Sequence, residues 1–136
     1  MTTNNLDKIF TKNNLKTLFP DNRADNFFEA LYGDASEGAY DISLEFQSEE
    51  ADKLNLEFHL KQRPQKCLAC NLTYGLPHVF EKHPVIGIKA LIKNINVQFQ
   101  DKFNIPIQCT GYNIGTTKEI SRELHIIPLT IYISRS

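Results

Sequence analysis

Residues 40–46, Tyr40-Asp41-Ile42-Ser43-Leu44-Glu45-Phe46, and residues 54–60, Leu54-Asn55-Leu56-Glu57-Phe58-His59-Leu60, alternate apolar and polar side chains throughout. Successive side chains of an extended chain point to opposite faces, so Tyr40, Ile42, Leu44 and Phe46 share one face, and Leu54, Leu56, Phe58 and Leu60 another. Both runs read as half-buried strands, and the polar stretch 47–52 joins them into an antiparallel hairpin. A sheet with one apolar face needs a cover, which the flanking sequence must supply.

Downstream, Arg63-Pro64-Gln65 makes a break, and Leu68, Cys70, Leu72 and Tyr74 alternate with Cys67, Ala69, Asn71 and Thr73 as a third strand that ends at Gly75-Leu76-Pro77. Pro84 suits the first turn of a long helix over 84–103, whose stripe is Val85, Ile88, Leu91, Ile92, Ile95, Phe99 and Phe103. Asn104 and Pro106 close it. Residues 105–112 read as a strand, 113–123 as a polar loop or short helix, and 124–134 as a last strand that Pro128 places at an edge or a bulge. Upstream, residues 4–19 give one or two short helical turns that stop at Pro20. A second helix follows to Tyr32, with Gly33 as its natural stop. The expectation is one α+β domain over residues 1–136, in the order ααβββαββ: an antiparallel sheet of about five strands covered by one long helix, with two short N-terminal helices.

The 136 residues carry 15 Lys plus Arg and 16 Asp plus Glu, a formal net charge of −1. That balance excludes a broadly basic nucleic-acid binder and a strongly acidic tail protein. The total hides unlike parts, since residues 1–20 sum to +2, 21–57 to −9 and 58–136 to +6. An asymmetry of this kind points to complementary faces, a dimer or a charged partner. No stretch approaches the roughly 18 apolar residues of a spanning helix, and the first residues lack a basic and an apolar region, so a soluble cytoplasmic protein is expected. Cys67, Cys70 and Cys109 are an odd number and fit reduced thiols better than a disulfide framework.

The sharpest chemical string is Cys67-Leu68-Ala69-Cys70 followed by His78 and His83, four ligand types that suit tetrahedral zinc. Against it, strand positions three apart face opposite ways, Cys70 falls in register with Leu72 and Tyr74, and no glycine follows to relax a turn. A dithiol redox role needs a helix after the pair, and 71–77 is poor helix sequence. Deaminase chemistry lacks its H-x-E string. His78 or His83 with Tyr74 or Glu81 makes an acid/base set, while a histidine before Pro84 serves equally to satisfy amides at a helix entrance. His59 and His125 have no local partner that argues for more than surface or packing. No P-loop, dinucleotide, G-x-S-x-G, H-E-x-x-H or EF-hand string occurs, and Gly111 and Gly115 suit a strand-end loop. Lys61, Arg63, Lys66, Lys82, Lys89 and Lys93 offer a basic face, but only Tyr74 and Phe80 stand near enough to stack bases.

The order of elements is similar to that of the small class I type III secretion chaperones, a likeness of order that no motif carries. The resemblance implies a dimer that binds an unfolded segment of another protein. The sequence leads to a non-enzymatic, cytoplasmic interaction protein, a homodimer or the binder of another protein, with no membrane, nucleic acid or cofactor. It presents either the sheet or residues 62–84, where Arg63, Tyr74, His78, Phe80 and His83 are the candidate contacts. The alternative is a small zinc or thiol protein built on Cys67, Cys70, His78 and His83, with Cys109 brought near by the fold.

Overall fold

The computed structural model describes residues 6–34, 38–66 and 76–135. Strands β1 (Tyr40–Glu49) and β2 (Lys53–Gln62) form the expected hairpin, in register from Tyr40 opposite Gln62 to Phe46 opposite Leu56, with one irregularity between Phe46 and Ser48. Three more strands complete an open antiparallel sheet: β3 (Ile107–Ile114), the two-residue β4 (Lys118–Glu119) and β5 (Leu124–Arg135). The order across the sheet is β1-β2-β5-β3, with β4 also on β5.

The last strand is therefore central, and its pairing with β2 runs without a shift through Pro128, against the expectation that the proline puts it at an edge or a bulge. The hydrogen-bond parity explains how a proline fits there. In antiparallel sheet the N–H and C=O of one residue face the same neighbour. Gly115 N–H donates to Pro128 O at 2.8 Å, so the missing donor of Pro128 faces the β3/β4 side. β3 ends at Ile114, opposite Leu129, and β4 begins at Lys118, opposite Ile126. Pro128 sits at the gap between them, where no ladder bond is lost. A side chain at Gly115 would press on the Pro128 ring, with Cβ 3.2 Å from its Cβ and Cγ.

Helices cover the apolar face: α1 (Lys12–Leu18), α2 (Arg23–Tyr32), α3 (Leu76–Lys82) and α4 (Ile88–Val97), the last continuing as a π turn over Gln98–Lys102. Thr11 caps α1 by accepting the Asn14 amide, and Gly33, at φ +77°, ends α2 in the left-handed conformation that suits glycine. Phe27 of α2 and Phe58 of β2 each meet Phe80 edge to face at 5.5 Å, and Phe19 meets Phe58 at 5.3 Å. All four rings are fully buried or nearly so. This aromatic seam locks α2 and α3 onto the hairpin.

The cover differs from the one long helix expected. Residues 84–87 form a turn, Gly87 at φ +60° precedes α4, and the helix begins at Ile88 instead of Pro84. α3 arises where a strand end was expected, because Leu76, Val79 and Phe80 recur at helical spacing and Pro77 lies in the first turn, where a missing N–H is tolerated. The strand expected over 67–74 lies outside the described residues, and across the described ones the order is ααββααβββ. No described helix is long and apolar enough to cross a membrane.

Candidate functional site

α1 runs beside β1, the edge strand, and the two enclose a groove of about 450 Å³. Its floor is apolar: Leu15 and Phe19 from the helix, Ile42 and Leu44 from the strand, all nearly inaccessible to water. Its rim is charged, with Lys12 and Lys16 on the helical wall and Asp41 and Glu45 on the strand wall; Lys61 and Asp21 flank them. Lys12 and Lys16 are four apart and so share one helix face, whereas Asp41 and Glu45, four apart on a strand, lie about 13 Å from each other.

The ladder fixes which backbone groups face the groove. Gln62 N–H donates to Glu123 O and Arg63 N–H to Ala39 O, so odd-numbered residues of β2 bond to β1 and even-numbered ones to β5. On β1 it follows that Asp41, Ser43 and Glu45 bond inward, while Ile42 and Leu44 turn N–H and C=O outward, toward α1. Among the described residues those outward groups have no hydrogen-bond partner. The Ser43 hydroxyl, on the same stretch, is also buried with no partner among them. Buried polar groups without partners cost stability, about 1–3 kcal/mol each, until something supplies the bond.

The residues singled out in the sequence disperse. Phe80 is fully buried in the aromatic seam, and His78 is exposed on α3. His83 accepts the Val85 amide on Nδ1 at 3.2 Å and packs its ring edge-on against Phe27, so it satisfies an amide ahead of α4. Arg63 is a clamp. It donates to Asp41 at 3.0 Å and to Asp25 at 2.6 Å, and stacks over Phe28. Cys67, Cys70 and Tyr74 lie outside the described residues. Among the described ones no group of three or more His, Cys, Asp or Glu side chains is placed to hold a metal.

No protein-family model, curated protein or solved structure matches the chain. The likeness of element order to the secretion chaperones gains no support, and the site rests on its own geometry.

Of the other chemical groups, Glu81 on α3 hydrogen-bonds the Tyr112 hydroxyl of β3, whose pKa is raised by burial first and by Glu81 second. Burial pushes the Cys109 thiol up to about 11, which keeps it protonated and unreactive near neutrality. His59 bonds Glu57 at 3.0 Å on the open face, and His125 is buried in the sheet. Sequence reasoning missed the groove. Lys12 and Lys16 stand out only once β1 is known to be an edge and α1 its neighbour, and neither fact is written in the local pattern.

Proposed function

We propose that the chain is a non-enzymatic cytoplasmic interaction protein that self-associates and takes an extended polypeptide partner along the groove between α1 and β1. The observation that carries this is the groove itself, an apolar floor of Leu15, Phe19, Ile42 and Leu44 between a wall bearing Lys12 and Lys16 and a wall bearing Asp41 and Glu45. An extended segment laid along the groove meets this rim with its own side chains, which give selectivity. The rim favours a partner of mixed charge, with acidic side chains against Lys12 and Lys16 and basic ones against Asp41 and Glu45. Of the acid/base candidates, His83 holds the Val85 amide on Nδ1 and Glu81 bonds the Tyr112 hydroxyl, which supports an interaction role over a catalytic one.

The test is selection of peptides displayed as short linear segments, followed by anisotropy titration of the enriched sequences against the native chain and a Lys12→Glu/Lys16→Glu variant. Both lysines are exposed, so the variant keeps its fold. Binding is expected to weaken roughly ten-fold in the variant and to fall with salt. Failure to enrich any sequence, or equal affinity for both proteins, overturns the proposal.

A further inference from the structure

The other edge of the sheet differs in kind from the one beside the groove. β1 carries Asp41, Glu45 and Glu49, and a two-fold about Ser43 would set Asp41 against the partner's Glu45, a like-charge pair that defends this edge. β3 carries none of this protection: residues 103–117 contain no Lys, Arg, Asp or Glu. Its first half is closed from within the molecule, because Asn96 accepts the Cys109 amide at 3.0 Å and Gln100 donates to Ile107 O at 2.8 Å. Its second half is not closed in this way by any described residue. Asn113 pairs with Thr130 and Gly111 with Tyr132, even-numbered residues of β5 that face β3, so Tyr112 and Ile114 turn N–H and C=O outward. Among the described residues those groups have no hydrogen-bond partner.

From this we infer that a second copy of the chain pairs antiparallel with β3 across a two-fold axis at Asn113, joining the two sheets into one. The inference rests on the self-association named above and assigns it a surface. In this register Tyr112 bonds the partner's Ile114 and Ile114 the partner's Tyr112, which satisfies all the outward groups of both residues. The same pairing sets each half-buried Tyr112 ring against a β-branched Ile114 on the covered face, an apolar cross-strand pair of the favourable kind. Asn113 stands opposite its own copy in the narrow, non-hydrogen-bonded position, with Cα atoms about 4.5 Å apart. The register is limited to this segment because Asn96 and Gln100 block the rest of the edge.

Sedimentation velocity of the full chain over a concentration series, together with Asn113→Lys and Asn113→Cys, tests this. The native chain is expected to run as a dimer. Asn113→Lys puts two ammonium groups face to face and is expected to raise the dimer dissociation constant roughly ten-fold or more with an unchanged circular dichroism spectrum of the folded chain. Asn113→Cys is expected to cross-link to the dimer mass under mild oxidant while the native chain, with its own cysteines, does not, since the spacing suits a disulfide. A native chain that is monomeric at every concentration overturns self-association itself. A dimer that survives Asn113→Lys, or fails to cross-link through Asn113→Cys, overturns only this surface.

Discussion

The side-chain amides of Asn14 and Gln98 bond each other reciprocally, Nδ2 to Oε1 at 2.8 Å and Nε2 to Oδ1 at 2.9 Å, tying α1 to the first residue of the π turn. Asn14 also donates to Ile9 O at 2.9 Å and is buried, so the helix that walls the groove is held by one polar bridge as well as by its apolar face.

Asn14→Ala is expected to cost about 1–3 kcal/mol, because it leaves Ile9 O and the Gln98 amide without their partner. Gln98→Ala should cost less, and the double variant less than the two single losses together, since they remove one shared bridge. Urea denaturation of the set measures this. Strict additivity would show that the amides do not act as a pair.

Phe80→Ala is expected to destabilise by about 3–5 kcal/mol, the range for emptying a fully buried aromatic site. Phe80→Leu should recover a large part of that loss. Calorimetric midpoints decide the matter: a shift within error for Phe80→Ala would mean that the ring serves an exposed contact, as the sequence first suggested, and not the seam between Phe27 and Phe58.

The hairpin was legible because alternation at Tyr40–Phe46 and Leu54–Leu60 depends only on one face being buried. The short helix at α3 was not: Gly75 and Pro77 punctuate the chain as a strand end does, while Leu76, Val79 and Phe80 are too few to declare a helical period. Pro128 misled for a related reason. Proline excludes a strand interior only where its N–H is required, and the gap between β3 and β4 is a fact of topology that no local pattern records. The same holds for charge. Asp25 and Asp41 belong to the acidic part of the sequence and Arg63 to the basic part, yet all three meet in one clamp, so part of the asymmetry that suggested a partner is neutralised within the fold.

Arg63→Ala is expected to cost about 1–3 kcal/mol by removing two charge-assisted bonds and the stacking on Phe28. Arg63→Lys should rescue little, since a single ammonium cannot serve Asp41 and Asp25 in the fork geometry of a guanidinium. Equal stability of the lysine variant and the native chain would reduce the clamp to a simple point charge.

Stability is expected to fall on the alkaline side. Burial raises the Cys109 thiol to about 11; burial, Tyr32 and, against them, Arg63 leave the Tyr40 phenol well above its usual range; burial and then Glu81 raise Tyr112. Unfolded, the same groups release their protons at their ordinary values, about 8.5 for the thiol and about 10 for the phenols. Between those values and the raised ones the unfolded chain binds fewer protons than the folded one, so unfolding becomes easier as pH rises, whereas below about pH 8 these groups contribute no slope. Urea midpoints at a series of pH values from neutral to alkaline should therefore decline in the native chain. Tyr40→Phe, which keeps the ring but not the ionising hydroxyl, should flatten the decline at its upper end, and Cys109→Ala at its lower end. Profiles that stay parallel in all three proteins would mean that these buried acids are not what alkali attacks.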